Sequence, residues 1–518
     1  MSAPPGNDPD VIADDYDIVI VGAGTAGCVL AARLSEDPGT RVLLVEAGPP
    51  DTASEITPTA AWPTLSGSEL DWGFTTEPQP ATNGHVHDIP RGKVVGGSGT
   101  INAMAFVRGD RCDFDTWAYL GCTGWDFASV LPYFKRSETS VFAAKDPEHR
   151  GDAGPLRPAP SAITGKLHPL SEAYLEAAQQ AGYPLTDDLN GPTLRGASSH
   201  DLLIVDGKRQ TTGQAYLDPA LHRANLTLST GALAESLVLD RDRCTGVDLI
   251  AGGRRRRVRS RRTVLAAGAI GSPHLLMVSG VGPADALTAA GVPVRHDLPG
   301  VGQNLHDHIM LAGLTVEAAA PLPPPSANLG EVTLFTDSEP GRVSCDLQLV
   351  FIHVPFANPW QQVPRPGYTF AIGHMRPASR GVLSLRSADP AVPPRLDYGY
   401  LTEPADTRAL LSGVRQALEL STMPAFAPWQ GSPQPLLGAD DATLRAFIRE
   451  AVRTYSHSAG TCRMGIDAHS VVDPQLKVQG LAHLWVADAS VMPNLVSANA
   501  NAATVMIAEK ASDLIKGG

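Results

Sequence analysis

Near the N-terminus one acid opens a continuous apolar run, Asp17–Val21, the pattern of a strand buried in a parallel sheet. Apolar residues at helical spacing follow over Cys28–Leu34. A further apolar run, Arg41–Val45, predicts a second strand that ends at Glu46. The pattern returns at Thr263–Ala266, a buried strand that leads through a Pro-containing turn into a helix and a Gly-rich exit at Pro283. Region 331–380 predicts a sheet, in which Cys345–Phe356 mixes polar and apolar residues as a sheet over a pocket does. Two stretches, Thr263–Ala284 and Ala489–Ala508, lack charge for about twenty residues, the length of a membrane span. Gly, Pro, Ser, His or Asn interrupts each of them, so buried backbone lining a site is the better reading.

Composition narrows the class. The chain has 518 residues, 43% hydrophobic and 18% charged, with a net charge of -13. That is a globular composition, and its acidity argues against non-specific binding to nucleic acid. The 50 glycines and 44 prolines require many turns. Six cysteines, Cys28, Cys112, Cys122, Cys244, Cys345 and Cys462, lie far apart, which fits neither a disulfide framework nor a zinc site. The acidic, Pro-rich residues 1–15 read as a disordered lead-in without the features of a secretory signal. A cytoplasmic protein with no membrane span is expected.

Between the first two strands stand Gly22, Gly24 and Gly27, in the spacing G-x-G-x-x-G. The first glycine permits a tight turn, the second lets backbone approach a pyrophosphate, and the third lets helix pack on strand. The helix N-terminus offers free N–H groups to phosphates. Glu46, about twenty residues on, is placed to accept from ribose hydroxyls. The full strand–turn–helix–strand–acid context predicts a dinucleotide site but leaves NAD and FAD both open.

Two further segments decide between them: "RGKVVGGSGTINAMAFVRGDRCDFDTW" from Arg91 and "LAAGAIGSPHLLMVSGVGP" from Leu265. Together with "PGVGQNLHDH" (Pro299–His308) and the last sixty-odd residues, they resemble the glucose–methanol–choline (GMC) family of FAD-dependent oxidoreductases. Within it the pattern is similar to choline-dehydrogenase-like and aryl-alcohol or hydroxymethylfurfural oxidase-like members. The resemblance implies an α/β Rossmann-like FAD-binding domain and an α+β substrate domain built on an antiparallel sheet. The expected boundaries are 16–155, 200–305 and 476–518 for the first, and 156–199 and 306–475 for the second. It implies flavin contacts at Ala23, Thr25, Ala26 and Ala47 around the first glycine turn. Others fall at Arg91, Val95, Gly97, Ser98, Gly99, Asn102, Ala103, Met104 and Ala105. The remainder are Leu233, through its backbone to adenine, with Ala267, Asp488, Ala489, Asn499, Ala502 and Thr504. Some members attach FAD through a His where this chain has Ile101, so non-covalent FAD is expected.

The stretch "YSHSAGTCRMG" (455–465) resembles the family's catalytic-histidine motif and assigns His457 as base. A neutral imidazole suits the task, because the hydroxyl proton must leave as the hydride passes to flavin N5. Matching "ANANAAT" (498–504) to the family's Gly-Asn-Thr-Asn-Ala-Pro-Thr puts Asn501 in the role of substrate-positioning amide, with Asn499 supporting the flavin. Ala498 and Ala503 depart from that pattern. Cys462 reads as a small buried hydrophobe, and His306 and His308 as structure, with no metal site.

The function implied is oxidation of a primary alcohol to an aldehyde, with oxygen, a quinone or a redox partner as electron acceptor. A non-oxidative relative, of the hydroxynitrile lyase or fatty-acid photodecarboxylase type, is the alternative. The decarboxylase pattern carries a Cys where Leu347 stands here, which counts against it. Seven arginines between 254 and 262 read as the solvated face of a hairpin turning at "AGG". Gln348, His353, Phe356 and Trp360 are candidates to approach substrate. Glu339 falls near the position of a cation-recognising Glu in choline oxidases.

Overall fold

The computed structural model describes residues 12–517. Of the anticipated lead-in, residues 1–11 lie outside the described residues. Ile12 is buried, and Asp15 already belongs to the first strand, β1 (Asp15–Val21). The helix α1 (Thr25–Leu34) starts three residues before its apolar spacing does, because Thr25, Ala26 and Gly27 are small residues packed against the turn. β2 (Val42–Val45) follows, wholly buried.

These strands lie in a seven-stranded sheet. Leu226–Ser229 pairs with β2, β2 with β1, β1 with Arg254–Leu265, and the last also with Leu484–Val486, all parallel. The strand Arg254–Leu265 reaches further back than its buried end suggests. Its arginine-rich half pairs antiparallel with Arg243–Ala251 across a turn at Gly252 and Gly253, both at positive φ. Only there does the hairpin's φ requirement demand glycine. Val258 points inward, while Arg257 pairs with Asp248 on the outer face. The arginine run is thus the exposed face of a hairpin.

A second seven-stranded sheet is antiparallel throughout. Its order is Val452–Thr454, Ile309–Leu311, Gly367–His374, Leu347–Ile352, Val332–Thr336 and Gly196–Ser199, with Thr315–Glu317 also on Gly367–His374. Alternation along Leu347–Ile352 sorts its two faces. Gln348, Val350 and Ile352 line a cavity. Leu347 faces the helix Pro404–Ser421, where a Cβ on Gly413 would lie 3.3 Å from its side chain. The first sheet draws on residues 15–45, 226–265 and 484–486, and the second on 196–199, 309–374 and 452–454. Among the described residues no helix is long and apolar enough to cross a membrane. The two charge-free stretches instead run along the cavity, through Ala266–Leu275 and Ala489–Thr504.

Candidate active site

One cavity of about 1040 Å³ runs from the C-terminal ends of the parallel strands to the antiparallel sheet. That end of an open parallel sheet is where ligands bind, because helix N-termini and strand-end loops converge there. Gly22, at φ +99, makes the turn after β1. A Cβ on it would lie 2.7 Å from the Ala266 carbonyl oxygen. A Cβ on Gly27 would lie 1.8 Å from the Gly22 carbonyl oxygen, so α1 seats against the turn only because that atom is missing. The second glycine turn meets the first, for a Cβ on Gly97 would lie 2.7 Å from the Gly24 Cα.

Most of the anticipated cofactor positions line this cavity. They are Gly22, Gly24, Thr25, Ala26, Glu46, Ala47, Arg91, Gly97, Ser98, Gly99, Asn102, Ala103, Met104, Ala105, Leu233, Ala267, Asp488, Ala489, Asn499 and Thr504. Four do not, and lie one layer behind. Ala23 gives its amide to Glu46, Gly27 packs on the Gly22 carbonyl, Val95 accepts the Thr100 hydroxyl on its carbonyl, and Ala502 is wholly buried in the last helix. Glu46 accepts from the amides of Ala23 (2.9 Å) and Gly48 (2.8 Å), and burial pushes its carboxyl up to about 7. Asp488 accepts from the Gly268 amide and the Ser272 and Ser490 groups, and burial raises its pKa. The helix Ala500–Gly517 opens on the cavity at its N-terminus, and its first unpaired amides give that end a positive potential.

At the other end His457 follows the strand Val452–Thr454 through a tight turn. Ser456 there takes φ +64. Asp307 holds the turn by accepting from the His457 amide (2.7 Å) and the Thr454 hydroxyl, and it accepts the Tyr400 hydroxyl (2.9 Å) on its other flank. Arg91 donates to the Ser456 carbonyl. Tyr455 stacks on the imidazole with centroids 4.6 Å apart, and gives its hydroxyl to Gln348 (2.9 Å).

The ring's hydrogen bonds fix its tautomer. His308 Nε2 lies 2.9 Å from the Val496 carbonyl oxygen, which can only accept, so that nitrogen carries the proton. His308 Nδ1 is therefore an acceptor, and His457 Nδ1, 2.9 Å away, donates to it. The lone pair of His457 is left on Nε2, where the Asn499 amide nitrogen points at it from 3.4 Å. Burial, then the neighbouring His308 and Arg91, hold the His457 pKa well below its usual value, so the ring is a neutral base at physiological pH. His308 is pushed down to about 3, chiefly by burial.

Asn501 stands elsewhere. Its amide donates to the Thr25 hydroxyl (3.3 Å) at the start of α1, one helical residue pair away from the His457 side. The geometry places the Asn499 amide nearest His457 and the Asn501 amide nearest the first glycine turn. Two residues apart at a helix start, the side chains diverge. Both Asn Oδ1 atoms are buried without a partner, which marks the wall as built for a polar ligand. Gln348 and Phe356 line the cavity as expected; His353 instead stacks on His168 at 4.1 Å and Trp360 on His85 at 4.0 Å. Glu339 is exposed and away from the cavity. Cys462 is fully buried, and among the described residues no group of side chains could hold a metal ion. Tyr455 and Asp307 were given no role by the sequence, and His308 was read there only as structure. They flank the recognised motifs, yet nothing local reveals that they converge.

A nucleotide-type parallel sheet whose cavity continues beneath an antiparallel sheet to a neutral imidazole base is the build of a flavin-dependent oxidoreductase. Family models described as GMC oxidoreductase match residues 16–310 and 377–508. The chain is 40% identical to the mitochondrial choline dehydrogenase of Homo sapiens over 97% of its length and 90% of the relative's. It is 37% identical to the oxygen-dependent choline dehydrogenase of Pseudomonas putida, covering 98% and 95%. The crystal structure of pyridoxine 4-oxidase from Mesorbium loti superposes with a TM-score of 0.94 at 34% identity, covering 97% of this chain and 99% of that one. The chain belongs to the GMC oxidoreductase family and is an FAD-dependent oxidoreductase acting on CH–OH groups.

The residues present fit FAD. The two glycine turns meet at the cavity, Asn499 and Asn501 line it and each keeps a buried amide oxygen without a partner, and its volume exceeds what a small alcohol alone needs. The non-oxidative alternative is not favoured. Leu347 stands under a helix, and neither it nor Cys345 reaches the cavity.

Proposed function

We propose that the enzyme oxidises a primary alcohol to its aldehyde with His457 as general base and Asn499 as the group that positions the hydroxyl. The observation that carries this reading is the single unprotonated nitrogen, His457 Nε2, facing Asn499 in the cavity. FAD, when bound between the glycine turns and the last helix, supplies the acceptor for the hydride. The protein's own part is to bind, orient and deprotonate. The substrate hydroxyl donates to His457 Nε2, and the Asn499 amide donates to the hydroxyl oxygen in place of its long contact to the ring. The proton passes to Nε2, and the imidazolium so formed is supported through Nδ1–H by His308. Positioning matters as much as basicity, since the reacting carbon must be held in one orientation.

Asn501 then serves the cofactor end, with Thr25. Ile101, on the cavity wall, offers no nucleophile, which supports non-covalent FAD. Oxygen, a quinone or a redox partner serves as the final acceptor. The test is anaerobic flavin bleaching. His457→Ala should keep its yellow colour and reduce roughly 10²–10⁴-fold more slowly than the parent. An undiminished rate would remove His457 from this role. Acid precipitation should release the flavin into the supernatant, and flavin kept in the pellet contradicts non-covalent binding.

A further inference from the structure

We propose that the alcohol carries a carboxylate or similar anionic group away from its hydroxyl, and that Arg453 receives it. This rests on reading the cavity around His457 as the substrate site.

Arg453 is the middle residue of the strand Val452–Thr454, opposite Met310. Strand alternation puts it on the same face as Tyr455, roughly 7 Å further along, and both line the cavity. Its guanidinium lies 4.4 Å from the centroid of the Phe356 ring. Among the described residues it makes no side-chain hydrogen bond and no ion pair. Arg91, the other guanidinium near His457, gives an N–H to the Ser456 carbonyl and has the buried Asp307 as a counter-charge, which Arg453 lacks at that range. An unpaired guanidinium in a shielded cavity is costly, and an incoming carboxylate relieves that cost through two parallel N–H···O bonds. Arg365, exposed at the rim, adds a second positive charge on the way in.

The acidic side chains on the wall offset this only in part, and none of them pairs with Arg453. Glu46 and Asp488 sit at the nucleotide end with backbone amides on their oxygens. Asp88, which is exposed, attracts the Arg453 guanidinium but forms no ion pair with it. Glu450, near the rim, is taken by Asn83 and His85. The one carboxylate beside His457, Asp307, is buried behind the wall and taken by the His457 amide and the Thr454 and Tyr400 hydroxyls, so a quaternary ammonium such as that of choline finds no free carboxylate there and meets Arg453 instead. Several relatives are choline dehydrogenases, so this chain's cavity points to a different charge class.

The test uses the FAD-loaded enzyme under anaerobic conditions. 3-Hydroxypropanoate, 6-hydroxyhexanoate and 4-(hydroxymethyl)benzoate are each compared with the matching amide, and choline is run alongside. At least one carboxylate should show a kcat/KM for flavin reduction about 10–100-fold above its amide. Arg453→Met should bring that ratio close to one, and Arg453→Lys should keep part of it; flavin content reports that both variants fold. Titration with terephthalate, which cannot be oxidised, should perturb the flavin spectrum of the parent and not that of Arg453→Met. If the amides or choline match the carboxylates, or if Arg453→Met keeps the preference, the anion assignment fails while alcohol oxidation stands. If terephthalate binds through Arg453 but no alcohol bleaches the flavin, the anion site stands and the alcohol reading fails.

Discussion

His457 and His308 face each other nitrogen to nitrogen, Nδ1 to Nδ1 at 2.9 Å, with their rings nearly perpendicular. A hydrogen bond between two imidazoles needs opposite protonation at the facing atoms, and the Val496 carbonyl decides which ring supplies the proton. His308 is therefore a positioning residue that acts through His457. His308→Leu should slow flavin reduction by about 10–100-fold with little change in flavin content, the size of effect seen when a partner orienting a functional histidine is lost. His308→Gln should recover most of the rate, because its amide can donate to Val496 and accept from His457. Stopped-flow reduction of the two variants checks this; equal rates in both would sink the tautomer argument.

Asn499 and Asn501 are separable. Asn499→Ala should lower the reduction rate and raise the apparent KM for alcohol, since the group facing His457 Nε2 is lost. Asn501→Ala should chiefly weaken FAD retention, since its contact is with Thr25 at the glycine turn. Flavin content after dialysis, measured beside the reduction kinetics, tells the two apart.

The pH dependence follows from the direction of the His457 shift. Burial and neighbouring positive charge disfavour the protonated ring, so its pKa lies well below 6.5. The base is thus already deprotonated at pH 6.5, and the acid limb should appear only at lower pH. The rate constant for flavin reduction at saturating alcohol should stay flat from pH 8 down to about 6.5. A half-maximal rate at 6.5 or above would show that the ring is not shifted as its surroundings require.

Gly27→Ala should cost the enzyme its flavin. The added carbon would sit 1.8 Å from the Gly22 carbonyl oxygen, so α1 must withdraw from the turn and carry its N-terminus away from the dinucleotide. Gly67→Ala offers a control, because a Cβ there meets nothing within 4 Å, although its positive φ makes it mildly strained. The absorbance of bound flavin in the purified proteins reads the difference.

The nucleotide end was legible because its requirements are local. A turn that needs glycine, a strand buried on both faces and a helix that must approach a carbonyl each leave a mark within a few residues. Gly22, Gly24, Gly27 and Glu46 could be read in that way. The arginine-rich hairpin was legible for the same reason, since its turn at Gly252 and Gly253 and the alternation around Val258 are short-range patterns.

The proposed base, His457, was legible only through the resemblance of its motif, and its surroundings were not legible at all. His308 reaches the ring, Asp307 holds its backbone amide and Val496 orients His308, all from segments far away in the chain, and Arg453 lies over Phe356 on a strand paired with one from a different region. The register of Asn499 and Asn501 was decided by the direction each side chain takes at the start of a helix, which the order of residues does not state. The sequence by itself determined the dinucleotide turn and the family, because backbone conformation is written in neighbouring residues. Only the tertiary structure showed which His457 nitrogen is left without a proton, which amide faces it and which guanidinium shares its cavity, because hydrogen-bond partners and electrostatic environment depend on distances across the fold.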